Sequence, residues 1–439
     1  MNIMTAKEAA ELWGISKRRV ALLCEQGRIK GVGRLGNNWV IPKGATKPAD
    51  QRIRSGKYIK NHTNNCNYAL KQYDIVLLRF ELQKEFDGLT AKITWMDEDK
   101  KHLLPLDLIV SDEGLLRWLK NRVIPSNRAY VENFLARLGL NEKDTKGIID
   151  ICKSLSLNDS YWTPAAGFTG TFAENNLFKN RFSNTLASIA FTGHGSIQPS
   201  SFTSSPEFTT NGMLAKCWRK VGGKIMLYKS GTEGAANTGK EPYSEYYAWQ
   251  VAKAMGLDAI EYGLSIWKGK LCSTCEIFTY IDTSFIPIGR LVREGGVRAV
   301  MEFYNNLGEE YYQKLIDMLV FDAVICNTDR HFGNFGVLVD NKTNHIKDFA
   351  PVFDNGLSLF CYAMDEDLKN LKAYAKTRVP AAYPDFVVFA KQIMTKRQRD
   401  KLRPLLNIKL KRHQRYNLSD DRLKAIEAFL KDRVRELLK

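Results

Sequence analysis

The chain has 439 residues, 44% of them hydrophobic and 26% charged, with a net charge of +17. That length and balance suit a water-soluble protein of two or three domains with a substantial core. No apolar run approaches the ~20 residues of a membrane span, and eight cysteines in so long a chain do not make a disulfide framework.

A secretory leader pattern is absent at the N-terminus, so the cytoplasm is the expected compartment and no membrane partner is expected. The charge is uneven. Residues 1–60 carry 13 Lys and Arg against 4 acids, and residues 396–415 carry 9 against 1. Such patches speak of polyanionic partners rather than of fold.

Thr5-Ala6-Lys7-Glu8 fits a capping box opening a helix over 6–13 that buries Ala9, Ala10 and Leu12 or Trp13. After a turn at Gly14-Ile15, Ser16 caps a second helix over 17–26, closed by Gly27, with Val20, Leu22 and Leu23 facing inward. Segments 29–35 and 38–41, joined around Gly36-Asn37, predict a hairpin. Together these make a winged helix-turn-helix, and the unit resembles the excisionase and MerR-type DNA-binding domains. The second helix opens with Lys17, Arg18 and Arg19, placed to reach base edges and phosphates. Arg34 and Asn38 sit where a wing would touch the DNA backbone or minor groove. A lone unit of this kind binds DNA weakly, so a dimer or partner protein is expected to supply specificity. The alternative is a helical hairpin used for protein docking.

Residues 44–67, rich in Lys, Arg, Asn and Ser, predict a linker. Segments 74–82 and 91–96 pattern as strands. From Glu113 the period turns helical, with Leu115, Leu116, Trp118 and Leu119, then Val131, Phe134, Leu135 and Leu138. Nothing in this small α+β module looks catalytic.

Residues 196–211 are dense in Ser, Thr and Pro. Residues 213–221 and 224–229 then predict two strands joined by Gly222-Gly223. Lys229 ends an apolar strand, as does the lysine that kinases set against the α- and β-phosphates of ATP. A helix over 244–255 places Glu245 in its first turn, where it would hold the Lys229 ammonium or serve only as a helix-dipole acid. Residues 271–280 predict the last strand of this half. Cys272-Ser273-Thr274-Cys275 lies in it as a lone C-x-x-C, better suited to core thiols than to zinc.

The most informative stretch is Asn327-Thr328-Asp329-Arg330-His331-Phe332-Gly333-Asn334. An apolar helix over 311–326 leads into it. A hairpin of strands 335–340 and 346–353 follows and delivers Asp354-Asn355-Gly356. Protein kinases place a catalytic-loop Asp five residues before a metal-binding Asn, and a second metal Asp opens a later D-x-G. Asp329 then orients the acceptor hydroxyl, while Asn334 and Asp354 hold Mg2+ against ATP. His331 is expected to brace the loop beside the nucleotide, and Arg330 to contact phosphate or backbone. Beyond the loop, residues 365–439 are helical by period. Lys409 to Arg415 there form either a solvated basic face or a second DNA contact.

These residues resemble the HipA-like serine/threonine kinases. Asn327 to His331 with Asn334-Phe335-Gly336 is similar to that family's catalytic loop, and Phe353-Asp354-Asn355-Gly356 to its metal motif. Ser154 to Trp162 is similar to a signature that precedes the kinase lobes in some members, and the likeness covers roughly residues 65–439. A G-x-G-x-x-G is missing; Thr210-Asn211-Gly212 followed by Lys216 resembles the family's single-glycine loop instead. The resemblance implies triphosphate contact by Thr210, Asn211 and Gly212, and adenine contact by backbone from Glu276 to Phe278. It also implies self-phosphorylation at Ser205 or Thr209, a protein substrate with a Ser/Thr acceptor, and an antitoxin-like partner or homodimer.

The expected fold is therefore α+β: a bilobal protein-kinase-like fold preceded by a small winged helix-turn-helix. The partition is 1–48 DNA-binding, 49–66 linker, 67–165 α+β module, 166–282 N-lobe and 283–439 C-lobe. Two alternatives stay open. One is a DNA-binding regulator whose kinase module binds nucleotide without turnover; the other is a small-molecule kinase.

Overall fold

Thr5 opens the first helix as a reciprocal cap. Its amide and hydroxyl donate to Glu8 Oε2 at 2.7 and 2.9 Å, and the Glu8 amide donates back to the Thr5 hydroxyl at 3.2 Å. The computed structural model describes residues 3–13, 15–36, 38–48, 66–85, 88–195 and 204–439. The expected turn residues Gly14 and Asn37, most of the expected linker, and residues 196–203 of the Ser/Thr-rich stretch lie outside them. The chain forms two compact units, Met1–Thr63 and Asn64–Lys439.

The first unit contains β1 (Ile3–Thr5), α1 (Ala6–Trp13), α2 (Lys17–Glu25), β2 (Gly33–Leu35) and β3 (Asn38–Pro42). Its antiparallel sheet has the order β1-β3-β2. Three residues are too few to show alternation, so β1 was not anticipated. Ala9, Ala10 and Trp13 of α1 pack on Val20, Leu23 and Cys24 of α2, with Met4, Ile29 and Ile41 closing the core. Leu22, expected inward, is 39% exposed. The buried face runs through positions 20, 23 and 24, the i, i+3, i+4 stripe that Leu22 misses.

In the second unit β4 (Asn67–Gln72), β5 (Ile75–Glu85), β6 (Gly88–Met96) and β7 (Tyr161–Trp162) form an antiparallel sheet ordered β6-β5-β4-β7. β4 falls where the linker was expected to end. It alternates with Tyr68, Leu70 and Gln72 buried, but the polar Asn67, Lys71 and Gln72 hide the period. The amphipathic helix α3 (Asp112–Lys120) covers this sheet with Leu115, Trp118 and Leu119. Behind it come α4 (Val131–Ala136), α5 (Thr145–Cys152), α6 (Phe172–Asn175) and α7 (Asn184–Thr192).

A second sheet follows: β8 (Lys216–Val221), β9 (Lys224–Ser230), β10 (Tyr262–Trp267) and β11 (Lys270–Glu276), ordered β10-β11-β9-β8. One long helix, α8 (Glu241–Ala254), packs on it with Tyr247, Ala248, Val251 and Ala252 inward. α8 begins three residues before the predicted start because Pro242 sits in its first turn, where a missing N–H costs nothing. Glu245 therefore lies in the second turn rather than the first, which removes its helix-dipole alternative.

The remaining half is mainly helical. β12 (Thr283–Pro287), β13 (Gly336–Asp340) and β14 (Ile346–Phe349) make a small antiparallel sheet. Around it lie α9 (Ile288–Leu291), α10 (Gly296–Leu307), α11 (Glu309–Ile325), α12 (Asp365–Leu368), α13 (Leu371–Ala375), α14 (Phe386–Ile393), α15 (Lys396–Leu402) and α16 (Asp420–Leu438). α11 is buried on every side from Leu315 to Ile325, as an all-round apolar helix must be. It is the axis of the largest core, which joins α8, α14 and α16. The fold is α+β and two-lobed, with a sheet and one helix against a helical half, as in protein kinases. Among the described residues, no helix is long and apolar enough to cross a membrane.

Candidate functional site

α11 ends at Ile325 because Cys326 turns left-handed at φ 52°. Asn327 then braces the loop in two directions. Its Nδ2 donates to Asp322 Oδ1 at 3.0 Å, and its Oδ1 accepts from the Asp329 amide at 3.1 Å. Asn334 closes the loop by donating Nδ2 to the Asp329 carbonyl at 2.9 Å. That bond orients the amide and leaves Oδ1 as its acceptor for a hard cation.

Arg330 ties this loop to the D-N-G segment. Its buried guanidinium bonds Asp322 at 2.9 and 3.1 Å and the Asn334 carbonyl at 2.9 Å. It also reaches the Phe353 carbonyl and Asn355 Oδ1, both at 2.5 Å. Of the two roles expected for Arg330, the structure assigns backbone and side-chain scaffolding. His331 is exposed, and its Nδ1 accepts from the Gly333 amide at 3.0 Å, so its contact is with the loop itself.

Asp354 sits at φ 56°, a left-handed geometry held by its amide donating to the Tyr262 hydroxyl at 3.1 Å. One carboxylate oxygen pairs with the Lys229 ammonium. The same ammonium donates to Glu245 Oε1 at 2.8 Å, and Glu245 Oε2 accepts from the Asn355 amide at 2.7 Å. Glu245 is fully buried and Lys229 nearly so, so the lysine does not snorkel to solvent. A Cβ at Gly356 would stand 3.4 Å from Glu245 Oε1 and 3.6 Å from Lys229 Nζ, so the D-N-G glycine lies against this pair.

The electrostatics follow from that packing. Burial alone would raise the Asp354 pKa, but Lys229 and Lys216 outweigh it and hold the carboxyl well below its ordinary range. Asp329 moves the other way, raised by burial and by the nearby Asp354 charge. Burial opposes the charge on Lys229, yet Asp354 and Glu245 keep its pKa above the usual lysine value. Two carboxylates of opposite tendency, one amide oxygen and one buried ammonium thus converge, a donor set suited to phosphoryl transfer.

Lys216 was noted in the sequence only as the lysine following a glycine, and the structure gives it weight. Its ammonium is buried, donates to the Asn211 carbonyl at 2.9 Å, and stands 2.2 Å from where a Gly212 Cβ would be. Any side chain at 212 would displace it, and φ 93° there also demands glycine. Burial first, then the Lys229 charge, push the Lys216 pKa down to about 7. Thr210 is tied down by donating to the Pro206 carbonyl at 2.7 Å and accepting from Trp218 Nε1 at 3.0 Å.

Other expected site residues stand differently. Glu276 points its carboxylate at Lys224 (2.6 Å), and the Ile277 amide is used by the Ile225 carbonyl at 2.9 Å. The Phe278 ring packs on Phe285 and Phe353. Ser205 and Thr209 are buried at 0% and 5% exposure; Ser205 donates to Glu207, and Thr209 to the Leu155 carbonyl at 3.0 Å. In this conformation both hydroxyls are turned inward and bonded. Cys272 and Cys275 are buried thiols with pKa values pushed up by burial to about 11 and about 12. The described residues hold no cluster of three or more metal-ligating side chains.

Sequence inspection missed several supports. Arg122 bonds the Ser154 and Tyr161 carbonyls and both Asp159 oxygens, fixing the 154–162 signature. That segment in turn gives its Leu157 and Asn158 carbonyls to Thr279 and Phe285, beside the expected adenine backbone.

The N-terminal unit presents a different surface. Lys17 and Arg18 are exposed on the first turn of α2, where the Ser16 hydroxyl caps the Arg19 amide at 3.2 Å. The Arg34 guanidinium lies 4.3 Å from the Trp39 ring centroid across β2 and β3, and Asn38 is exposed at the start of β3. Two helices and a small sheet stand in the expected order. Residues 3–45 match the helix-turn-helix domain family. In this helix-turn-helix domain, Lys17, Arg18 and Arg19 open the second helix.

For the second unit, the serine/threonine-protein kinase CtkA of Helicobacter pylori is 26% identical over 141 residues. The match spans 28% of this chain and 42% of that kinase, less than half of its length. The crystal structure of CtkA aligns over 51% of this chain and 91% of its own, at 18% identity and a TM-score of 0.41. A complex of HipA, HipB and operator DNA from a Shewanella oneidensis MR-1 toxin–antitoxin system aligns over 84% of this chain and 99% of its own, at 11% identity and a TM-score of 0.46. The site geometry stands independently of these two alignments.

Proposed function

We propose that the second unit is an ATP- and Mg2+-dependent serine/threonine protein kinase of HipA-like type, joined to a DNA-binding helix-turn-helix domain. The observation that carries this reading is the Lys229 ammonium shared between Glu245 and Asp354, next to a loop where Asn334 is bonded to Asp329. The partition into 67–165, 166–282 and 283–439 belongs to the same proposal.

Asp329 would orient the acceptor hydroxyl and take its proton as the new O–P bond forms and the bond from the γ-phosphorus to the bridging oxygen breaks. Its raised pKa, caused first by burial, suits a group that must accept that proton. Lys229 would face the α- and β-phosphates, with Lys216 and the Thr210-Asn211-Gly212 backbone beside them. Asn334 Oδ1 and the Asp354 carboxylate fit a hard divalent cation, since both present oxygen and Asp354 stays ionised. Mg2+ bound there would neutralise charge on the phosphates.

The helix-turn-helix domain would recognise duplex DNA through Lys17, Arg18, Arg19, Arg34 and Asn38. A partner of antitoxin type or a second copy of the chain would add the specificity that one such domain lacks. ADP release from ATP in the presence of a Ser/Thr acceptor protein, with and without Mg2+, tests the proposal. Tight Mg–ATP binding with no ADP produced would replace it with the nucleotide-binding regulator.

A further inference from the structure

The basic stretch 396–415 divides into two halves that the structure treats differently. In the first half most of the cations are absorbed. Arg397 pairs with Glu310 at 2.9 Å and with Asp317 at 3.2 Å, and Lys401 with Asp317 at 3.4 Å. Arg399 reaches carbonyls at the end of α16, at 3.5 Å to Leu437 and 3.3 Å to Leu438. The second half lies on the outer face of α8. There Lys411 and Arg415 are exposed, as is Lys253 of α8, and none of the three has a carboxylate within 4 Å among the described residues. Lys409 and Arg412 face Glu427 and Asp420.

Aromatic rings stand between these cations. Tyr246, Trp249, Gln250 and Lys253 follow the i, i+3, i+4, i+7 spacing of one helical stripe. Lys253 Nζ lies 5.2 Å from the Trp249 centroid. Tyr246 meets Trp249 at 6.3 Å and His413 at 5.6 Å, and His413 stacks on Tyr416 at 5.4 Å with the planes 12° apart. All four rings are only partly buried.

The loop is also fixed before anything binds. Gln250 exchanges two bonds with the Lys411 backbone, at 2.7 and 3.0 Å. Asn417 does the same with His413, at 2.8 and 2.7 Å. His413 Nδ1 accepts from the Arg415 and Tyr416 amides at 3.2 Å each, which leaves any ring proton on Nε2. A merely solvated basic face has no reason to be so braced or so interleaved with rings.

We infer that the surface formed by the outer stripe of α8 and residues 409–416 binds single-stranded nucleic acid, with Lys253, Lys411 and Arg415 on phosphates and the Trp249, Tyr246 and Tyr416 rings against bases. Unpaired bases offer the π-faces that such rings need, and a duplex hides them. The site is separate from the helix-turn-helix domain and does not depend on the kinase reading.

The test is fluorescence anisotropy on the full chain carrying Lys17→Ala, Arg18→Ala and Arg19→Ala, with labelled oligo-dT and oligo-U of about 15 nucleotides, a length typical of such sites. Adding Lys411→Ala and Arg415→Ala is expected to weaken binding at least ~10-fold and to flatten the salt slope by about 1.4, at about 0.7 per lost phosphate contact. Trp249→Ala is expected to weaken binding by about 10-fold and leave the salt slope unchanged. Absence of binding by the parent, or equal binding by the Lys411/Arg415 variant, would overturn the inference. So would a duplex held as tightly as the single strand together with no effect of Trp249→Ala. Lys411 and Arg415 are exposed, so their replacement tests the site even where the tryptophan variant folds poorly.

Discussion

Arg330 and Asp322 form a two-point ion pair, Nε to Oδ2 at 2.9 Å and Nη2 to Oδ1 at 3.1 Å, with side chains 1% and 0% exposed. This pair joins the core helix α11 to the loop that carries Asp329. Asp322→Ala would leave a buried guanidinium uncompensated, so a loss of about 3–5 kcal/mol of stability is expected in urea unfolding. Replacing both partners by apolar residues is expected to cost less stability than the single change, yet still to disorder the loop, because Arg330 also holds three acceptors on Asn334, Phe353 and Asn355.

Lys216 gives a pH signature. With its pKa near 7 in the folded chain against 10.5 ordinarily, the lysine is charged in both states below pH 7. Between pH 7 and 10.5 only the unfolded chain keeps the proton, so this group makes stability rise with pH across that window. A polyphosphate placed beside it would raise the pKa again. ATP binding at pH 8 is therefore expected to take up close to one proton, read by calorimetry in buffers of different ionisation enthalpy. Lys216→Met is expected to abolish that uptake.

Arg128 holds the segment expected to face the phosphates. Its buried guanidinium donates to the carbonyls of Glu207 (3.3 Å), Thr210 (3.1 Å) and Lys216 (2.5 Å), bracketing Asn211 and Gly212. Burial pushes its pKa down to about 10, which leaves it charged at neutral pH. In Arg128→Met the KM for ATP is expected to rise about 10-fold with kcat far less affected, the mark of lost binding rather than lost chemistry. Steady-state kinetics over an ATP series distinguishes the two.

Self-phosphorylation at this segment has a structural precondition. Ser205 and Thr209 must leave their buried bonds to Glu207 and the Leu155 carbonyl. A phosphate added at Ser205 would then stand against the Glu207 carboxylate and hold the segment out. After incubation with ATP, phosphopeptide mass spectrometry is expected to find the group between Ser204 and Thr210, accompanied by faster amide exchange over that segment. Finding no modification there removes the idea.

Much of the site was legible because its chemistry sits on short local spacings. Asp329 and Asn334 lie five apart in one loop, and Asp354 follows one hairpin later. The supports were harder to read. Tyr262, Arg122 and Arg128 act on partners 32 to 92 residues away, and Asp322 on an arginine in the next loop; a single polar residue in an apolar pattern reads first as a solvent face. An acid in the apolar last two turns of α11, eight residues before an arginine, was the available signal for Asp322. Lys216 and Lys229 illustrate the same limit. They face each other in register across β8 and β9, so each shapes the other's charge, and only strand pairing reveals it. The wing, the capping box and the core of the helix-turn-helix domain needed only local rules, which is why Leu22 and the three-residue β1 are its chief surprises.

Transfer of label from [γ-32P]ATP to a Ser/Thr acceptor protein, compared among the native chain, Asp329→Ala and Asp354→Ala, tests the central claim most directly. The native chain is expected to transfer label in the presence of Mg2+, with each variant slower by about 10^3-fold, the consequence of losing ~4 kcal/mol of transition-state stabilisation. Variants that label the acceptor as fast as the native chain would contradict the assignment of both carboxylates.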